Sequence, residues 1–393
     1  MKKSLLALAA MGAFAGAAQA QSSVTVYGTL DAAVTRADSG ATATNGVVNA
    51  LSGSTQVTDR LGFRGVEDLG GGKTAFFALE VEITPMAANG GTQGRGNGDV
   101  QRQDSPGSLF NNRRPSFVGL SDKQLGSIQA GSQFSQGFLF TGFGAADGFN
   151  QMGTNLSHAT VVTSTAATTG NQTIGISDAS FKQNSNTIQY TSPTFAGFNA
   201  VISNTFAAAG TTVGAAVGSG RVNGATVNYT IGKLALKAVM ESKVVNSAGP
   251  VTKHVTTGFG GSYDFGMIKV NATYQKGALD STSTAGVRSD TGIVTVSKIS
   301  FIAPATPQID IYGGYALLAE NAAGSMYSTA GLQGKASMMN IGAQYKLSKR
   351  TSLYGTYASL SNDSTGSKFA LGSAIGTADK NPSLFAVGMR HTF

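Results

Sequence analysis

Residues 385–393 read Phe-Ala-Val-Gly-Met-Arg-His-Thr-Phe, and two kinds of side chain alternate along them. Large side chains, apolar except for His391, occupy one set of positions, and small or polar ones such as Arg390 and Thr392 occupy the other. Because successive side chains of a β-strand point to opposite faces, this segment predicts a strand with one apolar and one polar face. Such a strand suits a wall between lipid and a water-filled lumen.

The same period of two recurs upstream in segments of about ten residues. In residues 24–32 the apolar positions include Val24 and Leu30, while Asp31 lies on the opposite face, and residues 234–241 repeat the pattern. A half-buried soluble sheet gives the same local alternation. Its repetition along the whole chain favours a transmembrane β-barrel.

The composition of the chain also favours a barrel over a soluble domain or a helical membrane protein. Charged residues make up 12% of the chain, about half of the ~25% that is typical of soluble domains. The mean hydropathy is nevertheless only +0.01, and no stretch after residue 20 reaches the roughly 18 apolar residues of a transmembrane helix. Only helices and closed barrels satisfy the backbone in lipid, so a membrane chain of this composition must be a barrel.

The residue types that bind metals or cofactors are scarce. The chain has no cysteine and only three histidines, which are widely separated, so thiol chemistry is excluded and a zinc site is not supported. Gly70-Gly71-Gly72-Lys73-Thr74 is similar to the end of a phosphate-binding loop, but Glu67 occupies the position of its first glycine. Glycines of a tight turn that adopt positive φ explain this segment better. We therefore expect no cofactor and no metal.

The first 20 residues have the features of a secretory signal peptide. Lys2 and Lys3 form a positively charged start, residues 5–18 are apolar, and Ala18-Gln19-Ala20 matches a cleavage site. A transmembrane anchor is the alternative, but the apolar stretch is shorter than the ~20 residues that a span requires. The sequence therefore predicts a signal peptide at 1–20 and a single transmembrane barrel domain at 21–393.

The alternating segments predict an all-β fold of sixteen antiparallel strands, a number at which a barrel encloses an aqueous channel. The predicted strands are 24–35, 55–66, 73–82, 113–121, 125–134, 184–192, 197–207, 221–231, 233–243, 253–264, 267–277, 289–303, 306–318, 336–348, 350–360 and 384–393. Short connections such as 67–72 and 122–124 alternate with long ones such as 83–112 and 135–183, which predicts short periplasmic turns and long external loops. The longest connection, 135–183, exceeds an ordinary loop, and such loops are commonly functional.

Several stretches resemble the trimeric general porins of β-proteobacteria. The matching stretches, spread from end to end of the mature chain, are Ser23–Gly28, Arg60–Gly72, Arg114–Leu120, Tyr190–Pro193, Leu347–Thr351 and Arg390–Phe393. The resemblance implies a homotrimer of sixteen-stranded barrels in the outer membrane, whose third external loop, here 135–183, folds into the pore. It also implies contact with outer-membrane lipid and lipopolysaccharide, and recognition of the terminal Phe393 by the barrel-assembly machinery.

The same resemblance implies which residues line the constriction, where an acidic loop faces a ladder of basic wall residues. Arg60 and Arg114 match the positions of wall arginines in the family, and the alternation separately places both side chains on the inward face. The other candidates for the constriction are Arg64, Arg113, Lys182, Asp147 and Asp178.

Two departures from the family pattern concern this constriction. Relatives usually have Gly-Arg-Gln where this chain has Gly131-Ser132-Gln133, so any contact made by that arginine is missing. The loop 135–183 contains only two acidic residues, Asp147 and Asp178. We therefore expect a weaker field on the acidic side of the pore than in better-known relatives.

Together these features predict passive diffusion of small hydrophilic solutes and ions across the outer membrane, without catalysis. Without Lys2 and Lys3 of the signal peptide, 26 of the 28 Lys and Arg remain against 20 Asp and Glu, which favours a mild preference for anions, and export argues against a nucleic-acid partner. The main alternative is a substrate-specific channel whose long loop builds a binding track. A barrel enzyme is a further alternative, although His158, His254 and His391 offer no persuasive partner spacing for one; an adhesin or receptor is another.

Overall fold

The computed structural model describes most of the predicted barrel. The residues described are 23–38, 47–83, 85, 110–111, 114–143, 159–162, 173–175, 183–206, 221–246, 251–282, 288–321, 334–362, 369–371 and 381–393. Within these ranges, no helix has the length and apolar character needed to cross a membrane. The predicted signal peptide at 1–20 lies outside the described residues.

Strands dominate the described residues. In chain order they are β1 (Ser23–Asp38), β2 (Val47–Gly53), β3 (Arg60–Gly70), β4 (Lys73–Ile83), β5 (Phe110–Asn111), β6 (Ser116–Asp122), β7 (Gly126–Phe134), β8 (Ala159–Val162), β9 (Thr173–Gly175), β10 (Gln183–Thr191), β11 (Phe198–Thr205), β12 (Val222–Ile231), β13 (Leu234–Asn246), β14 (Val251–Asp264), β15 (Lys269–Thr282), β16 (Arg288–Pro304), β17 (Ile309–Asn321), β18 (Lys335–Lys346), β19 (Thr351–Asn362), β20 (Phe369–Leu371) and β21 (Ser383–Thr392). A short helix, α1 (Gln136–Thr141), follows β7.

Sixteen of these strands pair antiparallel with their neighbours and close on themselves to form the wall of a barrel. The order around the wall is β1, β3, β4, β6, β7, then β10 to β19, and finally β21, which pairs with β1. Gly28 and Phe393 exchange two backbone hydrogen bonds of 3.1 Å where the first and last wall strands meet. The predicted sixteen-stranded barrel is thus confirmed, and all sixteen predicted strands match wall strands to within five residues at either end.

One wall strand is interrupted where the sequence predicts a continuous strand at 55–66. β2 and β3 lie end to end along the same side of β1, and residues 54–59 leave the wall between them and are buried. Six residues replace two, because β1 pairs with β3 up to Thr29 and with β2 from Ala32 onward. The prediction was wrong for residues 55–59. Their polar and β-branched side chains are typical of a strand, but hydrogen bonds to residues distant in sequence hold them inside the barrel instead.

Asp31 of β1 holds the excursion 54–59 inside the barrel. Its carboxylate accepts hydrogen bonds from the backbone N–H groups of Gln56 and Val57, the latter at 2.8 Å. The hydroxyl of Tyr354, on β19, donates to the same carboxylate at 2.6 Å. Because Asp31 is almost fully buried, these donors replace the water that a carboxylate otherwise requires.

Asp59 closes the excursion on itself. Its carboxylate accepts hydrogen bonds from the N–H groups of Asp31 and Ser54, the latter at 3.1 Å, and the Ser54 hydroxyl accepts the N–H of Asp59 at 2.9 Å. Both ends of the excursion are therefore tied to each other and to β1. The segment forms a fixed part of the inner wall.

The wall has apolar side chains on its outer face and polar side chains on its inner face, which is the reverse of a soluble barrel. Outer-face side chains are apolar and exposed, as for Val24 at 64% and Val387 at 51%. Many inner-face side chains, such as Asp31 and Thr356, are polar and buried. Since apolar groups avoid water, this pattern defines a wall with lipid outside and a polar lumen inside. The alternation predicted at both ends of the chain is confirmed.

Glycines let large aromatic side chains lie flat along the wall. A Cβ atom at Gly388 of β21 would lie 2.5 Å from the hydroxyl oxygen of Tyr354, so the tyrosine reaches across β21 only because that position is glycine. The ring of Tyr27 lies over Gly62 in the same way. Such pairs account for part of the high content of 53 glycines.

The connections at one end of the barrel are short. Gly70, Gly71 and Gly72 join β3 to β4 with φ values of +79°, +62° and +81°, as predicted for a tight glycine turn. In the next turn the carboxylate of Asp122 accepts the N–H of Gln124 at 2.8 Å. Barrels of this type have short periplasmic turns, so this end, where Gly28 is bonded to Phe393, faces the periplasm.

Two of the longer connections at the other end are joined by a small second sheet. β8 and β9 belong to the loop 135–183, and β20 belongs to the last connection before β21. β8 pairs antiparallel with both β9 and β20. The third and last external loops are therefore linked through their backbones.

Replacing Tyr354 with phenylalanine removes one donor from the buried Asp31 carboxylate and leaves the ring in place. We expect the free energy of unfolding to fall by about 2 kcal/mol, the usual cost of an unpaired buried group beside a charge. Urea unfolding of the detergent-folded protein measures this. Tyr357→Phe, at an outward and exposed position of the same strand, is the control; an equal loss in both variants would contradict the assignment.

Candidate functional site

The first residues of the third external loop turn into the barrel at the end of β7. Ser135 begins α1 as its N-cap, because its hydroxyl accepts the N–H of Phe138 at 3.0 Å. The helix then runs along the inner face of the wall, where it packs on β12, β13 and β14. The prediction that the third loop folds into the pore is confirmed for these residues.

Polar side chains of the wall hold α1 from below. Gln136 donates to Gln189 at 3.0 Å and accepts a hydrogen bond from Thr226 at 2.9 Å. The carboxylate of Glu241, on β13, accepts the N–H of Gly137 at 3.1 Å. These contacts involve β10, β12 and β13, so three wall strands fix the start of the helix.

The end of α1 is held by a lysine and by a glycine of the wall that leaves room for a phenylalanine ring. Lys298 of β16 donates to the carbonyl of Thr141 at 3.2 Å. The ring of Phe140 fills the space over Gly258, where a Cβ atom would lie 2.5 Å from it, and is only 1% exposed. Burial of this ring favours the inward position of the loop by about 2 kcal/mol.

Arg60 and Arg114 lie together on the inner wall and share one acidic partner. The Nε atom of Arg114 bonds to Glu80 of β4, and the Nε atom of Arg60 lies 3.7 Å from the other carboxylate oxygen. Tyr27 donates to that second oxygen at 3.0 Å. Both arginines lie on the inner face, as the alternation predicts, and a second carboxylate is close by, because Glu82 of β4 is the register partner of Arg60.

Aromatic rings border the same cluster on two sides. The guanidinium of Arg64 lies 5.2 Å from the ring centre of Tyr27, and that of Arg114 lies 5.0 Å from the ring centre of Phe134. Both distances allow a cation–π attraction. The Phe134 ring lies 5.2 Å from that of Phe138 in α1, so the arginine cluster is connected to the inward loop by packed rings.

Glu80 is the site residue that the sequence reasoning missed. A signal was present, because Leu79 and Val81 of β4 belong to the outward set, which places Glu80 and Glu82 on the inward face. The sequence prediction instead places the acidic partner in the loop, at Asp147 and Asp178.

Several predicted site residues cannot be placed with this cluster. Arg113, Lys182, Asp147 and Asp178 lie outside the described residues. Phe393 lies at the periplasmic seam, where its backbone is bonded to Gly28 and its ring lies over that glycine. The described residues contain no group of three or more His, Cys, Asp or Glu that could hold a metal ion.

The barrel is apolar outside and polar inside, and its third loop enters the lumen. This is the architecture of a membrane channel. Comparison with known proteins gives the family: residues 7–365 match the Gram-negative porins. The chain belongs to this family. It is an outer-membrane protein that forms a water-filled channel for passive diffusion of small hydrophilic solutes.

Individual relatives agree with this assignment. Outer membrane porin protein 32 of Delftia acidovorans is 32% identical over 90% of this chain and 88% of its own length. An outer membrane porin protein of Bordetella pertussis is 31% identical over 70% of this chain and 69% of its own. These relatives are channels rather than enzymes.

Solved structures support the fold. An anion-selective porin from Comamonas acidovorans has a TM-score of 0.73 at 27% identity, covering 95% of this chain and 100% of its own. OmpT of Vibrio cholerae, at 12% identity, has a TM-score of 0.63 over 95% of this chain and 98% of its own, and shares the fold.

Replacing Glu80 with glutamine removes the negative charge between Arg60 and Arg114 while preserving its size. We expect the permeability ratio of chloride to potassium to rise about threefold at ~0.1 M salt, because a unit charge ~7 Å from the ion path shifts the energies of anion and cation by ~0.3 kcal/mol each, in opposite directions, once salt screening is included. Reversal potentials in planar bilayers measure this ratio. Glu67→Gln, at the exposed periplasmic end of β3, should leave it unchanged; an unchanged ratio for the Glu80 variant would place the cluster off the ion path.

Proposed function

We propose that the channel prefers anions mildly and that the loop 135–183 forms its constriction against the arginine wall. The observation that carries this proposal is the cluster of Arg60, Arg64 and Arg114 on the wall that faces the lumen, where three positive charges stand against the two carboxylates of Glu80 and Glu82. A fixed positive excess attracts anions and repels cations as they pass. The anion selectivity of the Comamonas relative supports the sign.

Apart from Glu80 and Glu82, acidic residues of the inner wall such as Asp31 already have partners. Asp31 and Asp59 are occupied by backbone N–H groups, and Glu241 accepts the N–H of Gly137. Asp310, near the periplasmic end, is paired with Lys346 at 2.7 Å. Arg60 and Arg114 are therefore the main proposed determinants, and the further proposed members of the constriction are Arg64, Arg113, Lys182, Asp147 and Asp178.

We also propose that the protein is a homotrimer that contacts lipopolysaccharide and is inserted by the barrel-assembly machinery through its C-terminal Phe393. The resemblance to trimeric porins supports the assembly, and OmpT of Vibrio cholerae has a solved trimer form. Cleavage after Ala20 would remove the signal peptide before insertion.

Two arginine variants test the selectivity. Under a salt gradient, the wild-type protein should give a reversal potential whose sign shows that anions pass more readily than cations. Arg60→Ala and Arg114→Ala should each lower the anion-to-cation permeability ratio by about threefold. A clear cation preference of the wild type would overturn the proposal, and variants without a shift would remove these arginines from the site. Saturable flux of one solute class would instead indicate a substrate-specific channel.

Single-channel recording of the purified protein tests the assembly. A homotrimer of independent pores should insert as one unit and close in three equal conductance steps, because each barrel carries its own lumen. N-terminal sequencing of the same sample should begin at Gln21 if the signal peptide is cleaved as proposed. A single step that persists across many insertions would contradict the trimer.

A further inference from the structure

Lys237 lies on the inner wall on the far side of the barrel from Arg60. β13, which carries it, is the seventh strand on from β3 in a wall of sixteen, so the two residues occupy roughly opposite walls. Leu236 and Met240 of β13 are exposed on the outer face, while Val239 and Glu241 are buried on the inner face. Alternation therefore directs Lys237 into the lumen.

The neighbours of Lys237 on the inner face carry no acidic group. Its register partners are Asn228 on β12 and Gly260 on β14, and Gly260 is in turn opposite Thr273 on β15. The next acid along the same face of β13 is Glu241, roughly 13 Å away along the strand, and its carboxylate already accepts the N–H of Gly137. Among the described residues, no carboxylate lies in position to neutralise Lys237.

The inward loop meets Lys237 through an aromatic ring. Phe143, just after α1, has its ring centre 5.8 Å from the Nζ atom of Lys237. Gly260 leaves room for that ring, since a Cβ atom there would lie 3.3 Å from it. The contact is within cation–π range and orients the ammonium group toward the loop without removing its charge.

Lys298, on the same side of the barrel, has a different use. It is 5% exposed, and its ammonium group donates to the carbonyl of Thr141. The ammonium group of Lys298 therefore stabilises the end of α1. Lys237 is half-buried, with part of its side chain open to the lumen.

We propose that Lys237 is a second selectivity-determining residue of the channel. Small anions, including solutes that bear carboxylate or phosphate groups, meet positive charge on both walls, at the arginine cluster and at Lys237. The wall under the loop is then basic, where the family pattern of an acidic loop facing a basic wall leads one to expect a negative side. This inference deepens the proposed anion preference and rests on it for its meaning.

The first test measures reversal potentials of Lys237→Gln in planar bilayers at low salt. The anion-to-cation permeability ratio should fall by about two- to threefold, and Lys237→Arg should keep the wild-type ratio. Lys276→Gln is the matched control, because Lys276 on β15 stands opposite the exposed Thr257 on the outer face. A ratio unchanged in Lys237→Gln, or changed equally in Lys276→Gln, overturns the proposal.

A second test changes the charge at position 237 after folding, so that all samples share the same folded protein. The chain has no cysteine, so Lys237→Cys offers a single thiol that can be modified after the channel has inserted. A thiosulfonate reagent carrying an ammonium group should restore the wild-type ratio, and one carrying a sulfonate group should lower it below that of the unmodified variant. Equal ratios after both reagents, with modification verified by mass, overturn the proposal.

The two proposals fail in distinguishable ways. If the arginine variants shift the ratio and the Lys237 variants do not, the anion-preferring channel stands and the second determinant is lost. If the wild type prefers cations, the proposed function fails, while a shift in Lys237→Gln still assigns a role in selectivity to that lysine.

Discussion

The constraint on which the whole structure depends is that lipid supplies no hydrogen bonds to a peptide backbone. A sheet that closes on itself meets this constraint because each wall strand has a neighbour on both sides. Lipid on one face and water on the other then decide the side chains, apolar outward and polar inward. Once the outside is assigned to lipid, chemistry that concerns solutes can reside only on the inner face and in what enters from the loops.

Much of this follows from the sequence because alternation is a local signal. Residues 385–393 reveal both faces of their strand, and the same holds for nearly all of the wall. The excursion 54–59 could not be predicted, because it depends on Asp31 and Tyr354, which are distant in sequence from it. A buried carboxylate that binds backbone N–H groups leaves no periodic trace.

The residues of the candidate site also divide into those that local sequence signals predict and those that depend on distant contacts. Arg60 and Arg114 were found from family motifs and alternation, both of which act over a few residues. Their pairing with Glu80 was missed although the inward face of β4 carries it, because the family pattern directs the search for an acidic partner to the long loop and away from the neighbouring strand. The docking of α1 on Gly258 requires two distant segments to be complementary in shape, which a single sequence does not display.

The seam between β1 and β21 has a consequence for how the protein is made. The first and last wall strands pair with each other, so the ring of hydrogen bonds stays open until the C-terminal strand has been synthesised and exported. Until then the chain presents two unpaired edges, which are templates for aggregation. Its folding is therefore dominated by the most distant contact it possesses and is slow in principle. Loss of β21 would leave an open sheet with both edges unpaired.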